Sequence, residues 1–181
     1  MSVWKLLGLD KHKIQNETPS PETETVRKIV NALDGMDPAQ GRYVAAFAYL
    51  LGRVALADRV ISPEETRVME RIVMERGKLP EEQAILVVQM AKTQNKLFGG
   101  TENFLVTQEF NEIATREQKL ALLHCLYAVS AADQSISTLE DNEIRNISKE
   151  LLLEHEDFIN VRLEYREFLS VLKNLTPAEG N

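Results

Sequence analysis

One nine-residue phrase occurs twice in this chain of 181 residues. The first copy runs from Ala57 to Glu65 (ADRVISPEE), and the second runs from Ala132 to Glu140 (ADQSISTLE), 75 positions later. Each copy follows an apolar run with helical periodicity, which predicts a helix–turn–helix unit that is duplicated within the chain. Because one such unit cannot bury its own apolar face, we expect the two copies to pack together in one domain.

Helical periodicity continues through the rest of the chain, and almost no strand pattern is present. Two segments, residues 39–57 and 120–132, are apolar on nearly every side and are therefore predicted to be central, buried helices. The fold class predicted from these patterns is all-α, a single compact domain of about seven to eight helices. We expect four segments along the chain: a short amphipathic N-terminal segment (1–13), a Pro-containing linker (14–22), the helical domain (23–174) and a disordered tail (175–181).

The composition excludes several classes of function. The chain has 28 acidic and 21 basic residues and no Lys/Arg-rich tract, which argues against binding to nucleic acid. Its single cysteine, Cys125, rules out an internal disulfide. No signal peptide is visible, and the most apolar stretch, Tyr43 to Ala57, contains Arg53 and is shorter than the ~20 residues that span a bilayer. These features predict a cytoplasmic protein.

The serine and glutamate of the repeated phrase are explained by the start of a helix. Ser62 and Ser137 stand at the N-cap position, and Glu65 and Glu140 follow three residues later. This spacing predicts a capping box, in which the serine oxygen accepts from the third helical amide while the glutamate accepts from the cap amide.

The aspartate of the phrase needs another explanation, because Asp58 and Asp133 lie at helix C-termini, where the dipole disfavours negative charge. One possibility is an Asx-type hydrogen bond to the following turn. The other is a cation shared with the glutamate seven residues later. An EF-hand loop is excluded, since the first two ligand positions of the first copy would be Val54 and Leu56.

A cation site would therefore have to combine the two copies. It would contain only carboxylate oxygens, which favour Ca²⁺, Mg²⁺ or Mn²⁺ over Zn²⁺. The candidate metal ligands are Asp58, Glu65, Asp133 and Glu140.

The doubled pattern, together with the stretch Phe110–Gln118 (FNEIATREQ), resembles the TerB-like tellurite-resistance family over about residues 23–172. The resemblance implies an all-helical domain, cytoplasmic and often membrane-associated stress-response complexes, and a metal site at the four acidic positions. Members of that family usually have Gly after each Asp, where this chain has Arg59 and Gln134. A turn that requires positive φ at these positions would be strained.

No nucleophile, acid–base pair or phosphate-binding loop is recognisable, so we do not expect an enzyme. The sequence favours a binding or scaffold domain in a tellurite, metal or membrane-stress response, with a divalent cation as its only candidate cofactor. The alternative is a metal-independent interaction module whose repeated phrase only caps helices. We expect protein partners, including a membrane-associated complex at the inner membrane, and a weak membrane-surface contact through residues 1–13.

Overall fold

The computed structural model describes residues 21–55, 63–93 and 103–173. These ranges contain no strand beyond a single β-bridge, so the prediction of an all-α fold is confirmed. Two 3₁₀ turns, Ala131–Asp133 and Arg166–Phe168, join the later helices. The α-helices of the described residues are α1 (Pro21–Asp34), α2 (Pro38–Ala55), α3 (Pro63–Glu75), α4 (Glu81–Lys92), α5 (Asn103–Ile113), α6 (Arg116–Ser130), α7 (Thr138–Glu150), α8 (His155–Glu164) and α9 (Ser170–Lys173).

The two helices that were predicted to be central, α2 and α6, form the middle of the core. They pack against each other, and α2 also contacts α4, α5 and α7, whereas α6 also contacts α3, α7 and α8. Phe47 on α2 and Leu122 on α6 are fully buried, as are most of their neighbours in sequence. A helix that is apolar on nearly every side is stable only when other helices cover it, which these neighbours do.

The helices that follow the two central helices occupy equivalent places. Helix α3 and helix α7 are each 13 residues long, and α7 begins and ends 75 positions after α3. The last residue of α6 likewise lies 75 positions after the last residue of α2. The contacts are crossed, because α3 packs against α6 and α7 packs against α2. Each half of the domain therefore covers part of the other.

The first helix begins at Pro21, inside the segment that was predicted to be a linker (residues 14–22). Proline is favoured in the first turn of a helix because its fixed φ suits the helix and its missing N–H would have no partner there. The predicted N-terminal segment (1–13) and tail (175–181) lie outside the described residues.

The second copy of the repeated phrase is held against the C-terminal part of the domain. The amide of Ile136 donates to the carbonyl of Phe168 at 2.7 Å, and the amide of Ser170 donates to the carbonyl of Ile136 at 3.0 Å. The Ile136 side chain is buried. The turn between α6 and α7 is therefore fixed both by backbone hydrogen bonds and by the core.

Candidate functional site

The structure describes the second copy of the phrase in full and the first copy only from Pro63 onward. Asp58 and Ser62 therefore lie outside the described residues. Glu65 lies in the first turn of α3 and is exposed. Asp133 and Glu140 lie on either side of the turn between α6 and α7.

Asp133 makes the local hydrogen bond that was one of the two alternatives for it. It ends the 3₁₀ turn after α6, and its Oδ1 accepts from the backbone amide of Ser135 at 3.1 Å. This Asx turn gives the aspartate a structural role that needs no cation.

The residue after Asp133 has the positive φ that was expected to be strained. Gln134 has φ 66° and ψ 17°, in the left-handed region, and its amide donates to the carbonyl of Ala131 at 2.8 Å. Glycine adopts this conformation without the steric cost that a Cβ atom adds. The chain therefore carries a strained glutamine where the resembling family usually has glycine.

Glu140 and Ser137 form the predicted capping box. Ser137 Oγ accepts from the amide of Glu140 at 3.2 Å, and Glu140 Oε2 accepts from the amide of Ser137 at 2.9 Å and lies 2.7 Å from its hydroxyl. The same motif starts α6, where Thr115 and Gln118 exchange the equivalent two bonds. Helix initiation thus accounts for the carboxylate of Glu140.

These bonds bear on the candidate cation site. Among the described residues, no group of three or more His, Cys, Asp or Glu side chains is arranged to hold a metal ion. Asp133 and Glu140 each direct an oxygen to a local amide instead. The described residues alone do not fit a cation, and the four-carboxylate site that includes Asp58 stays a prediction.

Two clusters of charged contacts between helices lie elsewhere and were not predicted from the sequence. Arg53, whose side chain is only 7% exposed, binds Glu150 through Nη1 at 2.7 Å and Glu143 through Nε at 2.8 Å. Thr107 donates to the same Glu150 carboxylate at 2.9 Å. Burial alone would raise the pKa of Glu150, but the hydrogen bonds from Arg53 and Thr107 lower it below its usual value.

A second charged cluster joins α6, α7 and α8. Arg162 contacts Asp141 through both Nε and Nη2, the latter at 2.8 Å, and Tyr127 donates to Asp141 Oδ1 at 2.8 Å. Burial opposes ionisation of Asp141, yet the hydrogen bonds from Arg162 and Tyr127 lower its pKa. Burial and the bond to Asp141 raise the pKa of Tyr127. Both clusters are satisfied ion pairs that link helices.

His124 lies in the central helix α6, yet it is partly exposed and one of its ring nitrogens has no hydrogen bond. Its side chain is 26% exposed, and its Nδ1 lies 3.7 Å from Glu164 Oε2 without a hydrogen bond. Burial lowers the pKa of His124 even with Glu164 nearby. The adjacent Cys125 is fully buried, and burial raises the pKa of its thiol, which is therefore inert.

The family model described as "Tellurite resistance protein TerB" matches residues 43–163, which is more than half of the chain. The chain belongs to the TerB family. The match includes α2 from Tyr43 onward, all of α6 and both copies of the repeated phrase. No curated protein and no solved structure matches the chain at a significant level.

TerB membership confirms the resemblance and the helical fold class. Among the described residues, none of the helices of this TerB domain is long and apolar enough to cross a membrane.

Proposed function

We propose that this TerB domain is a non-catalytic helical scaffold that binds partner proteins in a response to tellurite, another metal or membrane stress. The observation that carries the proposal is the TerB match over residues 43–163. The proposal is further supported by the local bonds of Asp133 and Glu140, which give the acidic residues of the second copy a structural use. In the described residues, these bonds favour a scaffold that works without a metal.

An internal duplication is part of this proposal. It is supported by the equal lengths of α3 and α7, by their offset of 75 positions and by their crossed contacts with α6 and α2. A duplicated scaffold presents two related surfaces from one core, which suits a protein that assembles others.

The test uses a strain that lacks the gene for this chain and a double variant that keeps the local hydrogen bonds. Asn at position 133 and Gln at position 140 accept the same hydrogen bonds but carry no charge. In the capping box that starts α6, the uncharged Gln118 already accepts the bond that Glu140 accepts at the start of α7. We expect the Asp133→Asn/Glu140→Gln variant to restore growth on potassium tellurite as fully as the wild-type chain. We also expect it to cross-link to the same partners.

A core-disrupting variant, Phe47→Asp, is the negative control. If the deletion strain grows normally under both tellurite and membrane stress, the stress role is wrong. If the charge-free variant loses growth or partners although it folds, the metal-independent scaffold is wrong.

A divalent cation is the second candidate, because both copies carry Asp and Glu at the same spacing. In this alternative Asp58, Glu65, Asp133 and Glu140 would together bind Ca²⁺, Mg²⁺ or Mn²⁺. Titration calorimetry of the wild type and of the Asp58→Asn/Asp133→Asn variant tests it. Heat in the wild type that the variant lacks would support the cation. The absence of heat, with an unchanged melting temperature, would exclude it.

We also propose that the chain works in the cytoplasm and contacts the inner-membrane surface weakly through residues 1–13. Trp4 and Leu7, with Lys5 nearby, suit the interface between lipid head groups and acyl chains. Co-sedimentation with liposomes that contain anionic lipid, with and without residues 1–13, tests this contact. Equal pelleting of both chains would contradict it.

A further inference from the structure

Two neighbouring cavities lie where the start of α2, the turn between α3 and α4, and the first half of α6 meet. Their volumes are about 460 Å³ and about 290 Å³. Lys78, Glu117 and Ala121 line both cavities, so the two form one continuous depression, here called the Tyr43 groove. Its size is in the range of sites that bind small molecules or short peptide segments.

Tyr43 is the buried polar residue of this groove. Only 6% of it is exposed, and its ring is stacked on Phe110 with the centroids 5.4 Å apart. In the described part of the chain its hydroxyl makes no hydrogen bond, although it lines the larger cavity. Burial raises the pKa of Tyr43 to about 12, so the hydroxyl keeps its proton at neutral pH. The Tyr43 hydroxyl is not among the fully buried polar atoms, so it reaches the surface of the groove, where a hydroxyl with no partner among the described residues is available to donate to a ligand.

Two side-chain amides lie beside Tyr43. Gln40 Nε2 donates to Gln83 Oε1 at 2.9 Å, which fixes the orientation of both amides. That bond uses one donor of Gln40 and the oxygen of Gln83, leaving the oxygen of Gln40 and the amino group of Gln83 for other bonds. The groove thus offers an acceptor and donors with the chemistry of a peptide group.

The charges along the groove balance. Lys78 and Glu117 lie 3.8 Å apart on its rim, and both are mostly exposed. The smaller cavity adds one further base, Arg76, and one further acid, Glu75. A rim with equal numbers of acids and bases has no net attraction for phosphate or for a cation, and it favours a ligand that is neutral over its length.

The turn that forms one wall of the groove is closely packed against the core and contains a strained residue. A Cβ atom on Gly77 would lie 2.6 Å from the carbonyl oxygen of Val73 and 2.9 Å from Phe47 Cζ, so the backbone approaches the core closely there. The next residue, Lys78, has φ 54°, which is costly for a residue other than glycine. Strained backbone of this kind persists where the surrounding structure fixes it, and it is often found at binding sites.

We propose that the Tyr43 groove binds the main chain of a short, uncharged peptide segment of a partner protein. A carbonyl of the segment accepts from the Tyr43 hydroxyl and from the amino group of Gln83, and an amide of the segment donates to the oxygen of Gln40. This inference rests on the proposed scaffold function, for which it names a binding surface.

The experiment is an NMR titration of the full chain, following backbone amides and the side-chain amides of glutamine. The probes are N-methylacetamide and the blocked peptide acetyl-Ala-Ala-Ala-amide, with acetate and methylammonium as charged controls. We expect saturable shifts around Gln40, Gln83 and Ala121 with the two peptide probes, and tighter binding of the longer one.

Two variants distinguish a ligand-binding role of the Tyr43 hydroxyl from a purely structural role. We expect Tyr43→Phe to weaken the blocked peptide about fivefold, which corresponds to the loss of one hydrogen bond. Its melting temperature should not fall, since the lost hydroxyl has no partner within the described residues. Tyr49→Phe is the matched control, because Tyr49 is 4% exposed on the same helix and lines neither cavity. It should bind the peptide like the wild type.

Three results would overturn the inference. One is the absence of saturable shifts in the groove with either peptide probe. Another is acetate or methylammonium binding there in preference to the peptide group, which would indicate an ion site. The third is unchanged peptide affinity in Tyr43→Phe. The titration uses the purified chain alone, so its outcome does not depend on partner proteins in the cell. If the peptide binds the groove as expected but the chain cross-links to no partner in cells, the scaffold function is wrong and the groove inference stands.

Discussion

Gln134 has a backbone conformation that is unfavourable for a residue with a Cβ atom. Its φ of 66° places a side chain in the left-handed region, at a cost of roughly 1–2 kcal/mol for an L-residue. Glycine removes that cost but loses more conformational entropy on folding. We therefore expect Gln134→Gly to raise the free energy of unfolding by about 0.5–1 kcal/mol, measured by urea denaturation. Gln134→Ala keeps the Cβ atom and should show no such gain; equal midpoints for the Gly and Ala variants would contradict the explanation.

Arg53 is the residue whose charge is most deeply enclosed among the ion pairs described above. Its guanidinium binds both Glu143 and Glu150, so removing it leaves two part-buried carboxylates without their counter-ion. We expect Arg53→Met to lower the free energy of unfolding by about 3 kcal/mol in urea denaturation. The control is Lys28→Met, since Lys28 is 73% exposed and its ion pair with Glu24 should contribute less than ~0.5 kcal/mol. A similar decrease in unfolding free energy in the two variants would show that the Arg53 ion pairs stabilise the fold no more than an exposed pair does.

At the scale of the helices, Asp141 connects three elements, because its carboxylate on α7 binds Tyr127 of α6 and Arg162 of α8. Its folded-state pKa is lowered from the ordinary value of 3.8. The unfolded chain therefore binds the proton more readily, and this contribution to stability is complete above pH ~4 and is lost as the pH falls through the lowered value. We expect the difference in unfolding free energy between the wild type and Asp141→Asn to be largest at neutral pH and to shrink below pH ~4. Urea denaturation at pH 7, 5, 4 and 3 checks this; a difference that does not change with pH would contradict it.

The helical elements also show which features the sequence could predict. The capping box at Ser137 was predicted because it depends on residues only three positions apart. The ion pair of Arg53 with Glu150 spans 97 positions, and no local spacing rule connects such residues. His124 lies in a helix that was predicted to be buried, yet its side chain is 26% exposed. Local hydrogen bonding and apolar periodicity were therefore predictable, whereas pairings between helices required the three-dimensional arrangement.

At the scale of the whole molecule, the crossed contacts make the two halves depend on each other. Helix α2 is covered by α6 and α7 from the second half, and α6 is covered by α2 and α3 from the first. A single hydrophobic cluster includes buried residues of both halves, among them Leu50 and Leu126. Neither half therefore has a complete core of its own, and the domain should unfold in one cooperative step.

Because the two halves depend on each other for their core, we can predict how the fragments fold when the chain is cut between Gly99 and Gly100. Each fragment alone exposes the apolar face that the other half covers, so we expect helical but loosely packed fragments without a sharp thermal transition or a near-UV circular dichroism signal. Mixing the fragments in equal amounts should restore both signals, because the buried surfaces of α2 and α6 become available to each other. The intact chain is the reference for the restored signals. A cooperative transition in either fragment alone would mean that one half folds independently, and would contradict a core shared between the two copies.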